Sequence, residues 1–350
     1  MKKRIKKIIS TVKRRKKLPE LSGAITNETV AEHRETILAG GKRFKYPVQY
    51  SRHKLVINSI IISVGTLVVA GVLLWLQFYV FQNSSQFIYR VSQLIPLPVA
   101  VIDGEQVPYS MYLKRFRSSI HYLQDQNNLN PDTNEGKKEI EYRKRVELDN
   151  AIRDAYATKL AKEYKVTVSE GDVSEFIRKD LQSKKVSDST YEKTVLNAFY
   201  DWSMDDYRGI VRAELLKRKV SFAVDDTARQ KSERVLAALR APAADFGAIA
   251  KAESDDEATK ANGGDSGDVP LKTLDSNGVI AKVQSLQPGQ VTELIYGTDG
   301  YYVAKLTSKS DQAVRFQFIK IALHEFESRL AAAKKAGKVK EYIAVAQLGQ

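Results

Sequence analysis

Residues 55–81 read LVINSIIISVGTLVVAGVLLWLQFYVF, and this stretch decides how the chain is organised. It holds 27 residues without a charged side chain. A helix of that length reaches roughly 40 Å, whereas a bilayer core needs only about 20 residues. Aromatic residues gather at its C-terminal end, as they do at membrane interfaces. We expect one transmembrane helix here, because a buried core helix is rarely apolar on every face over such a length.

Basic residues lie on one side of this stretch. Residues 34–54 include six Lys or Arg residues, whereas Arg90 is the one basic residue within 82–102. The positive-inside rule therefore places the N-terminus in the cytoplasm. The predicted location is the cell membrane, crossed in a single pass, with the C-terminal domains extracytoplasmic.

The net charge of the chain belongs to its N-terminal tail. Residues 1–54 carry 16 Lys or Arg against four acidic residues, so that of the formal net charge of +14 only +2 is left for the rest. The runs KKRIKK and KRRKK suit anionic headgroups of a lipid bilayer, at roughly 1 kcal/mol per basic residue. They would also suit nucleic acid, but a membrane tether favours lipid and no nucleic-acid partner is expected. Residues 18–50 show no regular pattern, so we expect a basic cytoplasmic tail over 1–54 that is largely disordered.

A connector at residues 82–98 leads into a mainly helical region at 99–219. Val99–Ile102 predicts a short strand, and Asp103-Gly104 predicts a hairpin turn after it.

Further along this region, sequence signals predict several helices. Apolar residues three to four apart over Glu139–Glu163 indicate one helix. Ser169 and Ser203, each followed by acidic residues, predict two helix starts.

Residues 220–308 mix helices with strands. Ser221–Val224 predicts a first strand, and Asp226–Arg240 predicts an amphipathic helix after it. The glycines of NGGDSGD at 262–268 predict a turn, and Tyr301–Leu306 predicts a closing strand. This order predicts a compact α+β domain.

The C-terminal residues 309–350 predict a strand, VRFQFIKIAL at 314–323, and then a helix. The expected fold class of the chain is α+β: a single transmembrane helix at 55–81, a helical module at 99–219, an α+β domain at 220–308 and a C-terminal strand and helix.

Two segments resemble known families. Residues 220–308 resemble the parvulin-type (PpiC-like) peptidyl-prolyl cis-trans isomerases, in ADFGAIAKAESDDEA, NGGDSGDV, VQSLQPGQVTELI and DGYYVAKL. Residues 99–219 resemble the N-terminal module of SurA- and PrsA-type chaperones, in VIDGEQVPYSMYLKRF, KVTVSEGDVSEFI and WSMDDYRGIVRAELLKRKV. The resemblance implies a chaperone module beside a parvulin domain, with unfolded or secreted polypeptides as partners and no cofactor or metal.

The resemblance also implies the positions of a site. Active parvulins usually carry a histidine on the first strand and another on the last. Here Ser221 stands at the first position, in SFAV, and Tyr302 at the second, in GYYV. Asp256 matches an acidic position of the family. The residues expected to bind the proline of the substrate are apolar: Leu274, Val279 and Leu286.

Because both histidines are replaced, the sequence is compatible both with an active and with an inactive isomerase domain. The reaction is rotation about a C–N bond with a barrier of about 18–20 kcal/mol, and no bond is broken. Catalysis requires that the twisted amide be bound better than the planar one, so weak activity and a purely binding domain are both compatible with the sequence. Outside the resemblance, Asp256 would be interpreted as a helix cap and Tyr302 as core packing.

The chain contains no cysteine, which excludes a disulfide scaffold, a thiolate nucleophile and any Cys-based zinc site. Its four histidines are scattered and fit no metal spacing. The leading prediction is a membrane-anchored extracytoplasmic folding factor whose isomerase activity is weak or lost. The alternatives are a non-catalytic membrane-tethered holdase or assembly scaffold, and an anchor whose basic tail meets a cytoplasmic partner.

Overall fold

The computed structural model describes residues 26–273 and 275–346, with side chains described outside residues 39–52. The chain divides into two compact units, Met1–Leu74 and Trp75–Gln350.

The helix α1 spans Asn27–Trp75 and accounts for the described part of the first unit. Within the described residues, His53–Val80 is the one stretch of helix whose length and composition would allow it to cross a membrane, with a mean hydropathy of 2.4. Irregular structure was expected over 18–50, and for the residues from Asn27 onwards this was wrong. Thr26 and Thr29 exchange hydrogen bonds at the start of α1, and Glu28 favours its first turn.

The second unit begins with a π-helical turn, Leu76–Val80, and continues into a helical region. The elements of this region are α2 Gln86–Leu94, β1 Pro98–Ile102, β2 Glu105–Pro108, α3 Tyr109–Gln126, α4 Asn134–Tyr164, α5 Glu170–Lys184, α6 Asp188–Tyr191, a π-helical stretch Glu192–Tyr200 and α7 Met204–Val224.

The predicted helix starts of this region are confirmed. Ser169 caps α5 and Ser203 caps α7, and in both cases the Asp three residues later completes a capping box. The predicted hairpin is also confirmed, because β1 pairs antiparallel with β2 through Asp103 and Gly104, both of which have positive φ.

A sheet region follows the helical region. Its elements are α8 Asp226–Leu239, α9 Phe246–Glu253, α10 Glu257–Lys260, β3 Asp265–Pro270, α11 Val279–Val283, β4 Ile295–Tyr296, β5 Gly300–Lys309 and β6 Ala313–Ala322. The four strands form an antiparallel sheet in the order β3-β6-β5-β4. The C-terminal strand predicted at 314–323 is therefore a central strand of this sheet.

The strand predicted at Ser221–Val224 was wrong, because α7 continues through these residues. Val220 and Val224 lie four residues apart and are both buried in the core of the helical region. Four residues are too few to fix a strand period, so burial of one helical face decides the conformation.

The chain then returns to the helical region through α12 Glu325–Lys335 and β7 Val339–Glu341. β7 pairs with β1, and Phe326 and Leu330 of α12 lie in the core that α3 and α4 form. Arg145 of α4 is 4% exposed and binds Glu341 of β7 at 2.8 Å.

Asp225 joins the two regions. Its Oδ1 accepts a hydrogen bond from the backbone N–H of Ala228 at the start of α8, and its Oδ2 accepts from those of His324 and Glu325. One buried carboxylate thus ties the end of α7 to the segment between β6 and α12.

Candidate functional site

A groove of about 350 Å³ lies on one face of the four-stranded sheet. We name it the sheet groove. Its lining is apolar on one part, with Val269, Val279, Ile280, Phe316 and Phe318, and polar on the other, with Asp256, Thr259, Ser266, Asp275, Asn277 and Tyr302. The strand β6 and the helix α11 supply most of the apolar part.

The register of β5 and β6 places two aromatic rings side by side in the groove. Ala304 lies opposite Phe318, and Tyr302 lies opposite Lys320. Because alternate residues of a strand face the same side, Tyr302 and Phe318 share this face as diagonal neighbours. Their ring centroids are 6.4 Å apart.

The hydroxyl of Tyr302 is fixed by two partners. It donates a hydrogen bond to Asp299 Oδ1 at 2.7 Å and accepts one from Asn277 Nδ2 at 3.1 Å. Asn277 Oδ1 in turn accepts from the backbone N–H and the hydroxyl of Thr298. The hydroxyl of Tyr302 therefore donates to Asp299 and not to Asp256.

The charge states of this pair suit hydrogen bonding rather than proton transfer. Burial raises the pKa of the Tyr302 hydroxyl, and the bond to Asp299 raises it further. Burial opposes ionisation of Asp299, yet the hydrogen bonds from Lys320, at 2.6 Å, and from Tyr302 leave the pKa of Asp299 below its usual value. Tyr302 is therefore neutral and Asp299 charged at neutral pH.

Asp256 lines the sheet groove and also caps a helix. Its Oδ2 accepts hydrogen bonds from Thr259 Oγ1 at 2.6 Å and from the backbone N–H of Thr259 at 3.1 Å. The interpretation of Asp256 as a helix cap is thus confirmed by α10. Its role in a site stays a prediction.

Ser221 does not join Asp256 and Tyr302. It lies on α7, where its hydroxyl donates to the backbone oxygen of Lys217 at 2.9 Å. It lines a different cavity, between α7 and the loop that holds Thr298 and Asp299.

The three residues expected at the proline pocket have different positions. Val279 begins α11, is 6% exposed and lines the sheet groove. Leu286 is half-buried and packs against the hydrophobic core that contains Val279. Leu274 lies outside the described residues.

Sequence reasoning missed Phe318, Asn277 and Asp299. The signal for Phe318 was present, because Val314, Phe316 and Phe318 alternate along the predicted C-terminal strand. That strand was assigned outside the domain, so the alternation was not connected with the groove. Asn277 and Asp299 carry no sequence signal, since their roles arise only from contact with Tyr302.

The side chains that line the sheet groove are suited to binding a ligand. Its apolar part can receive a small ring such as that of proline, and its polar part offers fixed donors and acceptors beside that ring. Among the described residues, no group of three or more His, Asp or Glu side chains is placed to hold a metal ion.

Comparison with known families supports both halves of this architecture. The family model of the PPIC-type PPIase (rotamase) domain matches residues 215–308, and that of the SurA-like N-terminal domain matches residues 50–221.

Two curated relatives are both called foldase protein PrsA. The protein from Caldanaerobacter subterraneus is 25% identical over 276 residues, which cover 70% of this chain and 87% of that protein. The protein from Streptococcus gordonii is 27% identical over 201 residues, which cover 53% of this chain and 62% of that protein. A solved foldase protein PrsA from Streptococcus pneumoniae is 17% identical, covers 57% of this chain and 79% of its own, and gives a TM-score of 0.20, which adds nothing to the assignment. With a SurA-like N-terminal domain followed by a PPIC-type PPIase domain, the chain belongs to the parvulin-type foldases.

Proposed function

We propose that this parvulin-family folding factor is anchored in the cell membrane, binds unfolded or secreted polypeptides outside the cytoplasm, and has weak isomerase activity or none. The observation that carries the proposal is the sheet groove, whose apolar part suits a prolyl ring and whose lining includes the neighbouring rings of Tyr302 and Phe318. We propose Asp256, Tyr302 and Val279 as the residues that contact the client there.

Phe318 is proposed to stand where the family resemblance expects the first histidine. The reason is topological: β6 is the strand beside β5, whereas Ser221 lies on a helix. Phenylalanine offers no hydrogen bond, and the hydroxyl of Tyr302 already binds Asp299. Little polar capacity remains to favour the twisted amide over the planar one.

The same topology supports new limits for the isomerase domain. We place it at residues 226–323, because β6 completes the sheet and α7 belongs to the helical core. The SurA-like module then consists of residues 86–224 with α12 and β7.

Membrane anchoring is supported by the helix over His53–Val80. The basic tail before it would lie against anionic headgroups on the cytoplasmic side.

The proposed function is tested by aggregation of a client. The full chain, reconstituted in nanodiscs of uncharged lipid, should lower the light scattering of a refolding protein without ATP. An empty nanodisc is the control. No reduction at several-fold molar excess would exclude the folding-factor proposal.

A non-catalytic holdase is the second candidate, and the pairing of Tyr302 with Phe318 in place of two histidines favours it. An isomerase assay on a proline peptide separates the two. Uncatalysed exchange takes about 10–100 s at 25 °C, so even a tenfold acceleration would be visible. If the chain suppresses aggregation but does not accelerate proline exchange, its function is that of a holdase.

A further inference from the structure

A second cavity of the second unit lies outside the sheet groove, with a volume of about 480 Å³. We name it the helix cavity. One wall is a stripe of α7 that runs from Tyr207 through Ile210, Glu214 and Arg218 to Ser221. These positions recur every three to four residues, so they share one face of the helix.

The opposite walls come from three other elements. Phe176 of α5 is 41% exposed and contributes its ring. Leu323 and Phe326 contribute apolar surface at the start of α12, and Thr298 and Asp299 contribute polar atoms from the loop before β5. The lining of the cavity therefore combines apolar side chains with several polar and charged ones.

The charges of the lining balance except at one residue. Glu214 binds Lys217 at 2.6 Å, Glu327 binds Arg153 at 3.2 Å, and Asp299 binds Lys320 at 2.6 Å.

Arg218 differs from these paired groups. It donates a hydrogen bond to the backbone oxygen of Tyr296, and no described carboxylate lies within 4.0 Å of its guanidinium. Burial lowers the pKa of Arg218, because the charged form loses hydration without gaining an ionic partner. An arginine always carries its charge, so this residue presents an uncompensated cation to the cavity.

We propose that the helix cavity binds an extended, apolar segment of a client polypeptide that carries a carboxylate, and that Arg218 selects this carboxylate. The proposal rests on the proposed function, since it names the site and the class of segment that the folding factor binds. The wall from Tyr207 to Ser221 is about 20 Å long at the rise of a helix. It accommodates about six residues of an extended chain.

The helix cavity and the sheet groove share a wall. Thr298 and Asp299 line the helix cavity, while their side chains bond to Asn277 and Tyr302 of the sheet groove. A client held by Arg218 would therefore lie directly beside the groove proposed for proline.

Three labelled peptides test the selection of a carboxylate. They are LFEIVA, LFQIVA and LFKIVA, amidated at the C-terminus so that the third side chain alone differs in charge, and free of proline so that the sheet groove is not engaged. Fluorescence anisotropy with the full chain in nanodiscs of uncharged lipid should show the Glu peptide binding about tenfold more tightly than the Gln peptide. The Lys peptide should bind most weakly.

Arg218→Gln should abolish the preference for the Glu peptide and leave the affinity for the Gln peptide within about twofold. Arg218→Lys should keep part of the preference, which covers the case in which the Gln variant does not fold. The matched control is Arg212→Gln, because Arg212 lies on the same helix but pairs with Glu170 and does not line the cavity.

Phe176 tests the apolar wall separately. Phe176→Ala should weaken all three peptides by a similar factor, because the ring carries no charge. Phe87→Ala is the control, since Phe87 is 67% exposed and lies outside the cavity.

Equal affinity of the wild type for the Glu and Gln peptides would overturn the inference, as would an unchanged preference in Arg218→Gln. Decanoate that displaces the Glu peptide at equal concentration would reassign the cavity to an acyl chain and also overturn it. Aggregation suppression by the same wild-type sample separates the two proposals: suppression without discrimination leaves the folding factor standing, whereas neither suppression nor binding overturns both.

Discussion

Tyr302 is held by its hydroxyl, which links the loop at Asp299 to Asn277 before α11. We expect Tyr302→Phe to lower the free energy of unfolding by roughly 1–2 kcal/mol, because Asn277 loses its acceptor inside a half-buried network. Thermal unfolding of the full chain in detergent measures this.

The neighbouring Tyr301→Phe is the control. Tyr301 is equally buried on the same strand, but its hydroxyl has no hydrogen-bond partner among the residues described. We expect a change below about 0.5 kcal/mol there. Equal losses in the two variants would show that the Tyr302 network contributes nothing beyond ring packing.

The pair Tyr302 and Phe318 sets the expected isomerase activity. We expect the double change Phe318→His and Tyr302→His to accelerate proline exchange over the wild type, because both new side chains would face each other in the sheet groove. The assay is exchange of a proline peptide, and the unfolding temperature checks that the variant folds.

The pair Ser221→His and Tyr302→His is the matched control. Ser221 lines the helix cavity, so its histidine cannot reach the groove without unwinding α7. A larger gain in this control than in the Phe318 pair would contradict the topological assignment.

Among the helices and strands, short sequence signals predicted the features that depend on neighbouring residues alone. Ser169 and Ser203 revealed the starts of α5 and α7 because a cap needs only the next three residues. The sheet was mispredicted because strand neighbours depend on contacts far apart in sequence. The alternation of Phe316 and Phe318 identified β6 as a strand, but nothing local indicated that it pairs with β5 on one side and β3 on the other.

The glycine turn before β3 depends on a close approach to β6. Gly264 has φ +78°, and a Cβ there would lie 2.2 Å from the backbone oxygen of Phe318. Gly267 has φ +63°, but a Cβ there would meet open space. We expect Gly264→Ala to cost more than about 3 kcal/mol, and Gly267→Ala about 1–2 kcal/mol from the left-handed backbone alone. Unfolding midpoints compare the two, and similar losses would mean that β3 can move away from β6.

The contact between α5 and α7 should depend on acid pH. A hydrogen bond from Lys219, at 2.9 Å, and then those from Ser169 lower the pKa of Asp172 to about 2. Because the folded pKa is depressed, the stabilisation is fully present above the unfolded value of 3.8 and is lost as the pH falls towards about 2.

Lys219→Met should therefore reduce the loss of stability between these pH values, measured as the shift of the unfolding midpoint. Lys185→Met is the control, because Lys185 forms no ion pair with a described residue. An identical pH profile for wild type and Lys219→Met would show that this ion pair does not contribute to the loss of stability at acid pH.

For the whole molecule, the decisive feature is the division of charge across the apolar stretch. Six basic residues precede it within 34–54, and Arg90 alone follows within 82–102. The positive-inside rule keeps the flank that is richer in Lys and Arg in the cytoplasm. We therefore expect Met1 inside and Gln350 outside.

Protease added to intact cells, or to spheroplasts where an outer membrane is present, tests this topology. A tag at the C-terminus should be lost while a tag at the N-terminus survives, and permeabilised cells should lose both. Protection of the C-terminal tag would reverse the orientation and place the sheet groove and the helix cavity in the cytoplasm. Both cavities would then face nascent rather than exported chains, so the topology decides which polypeptides they meet.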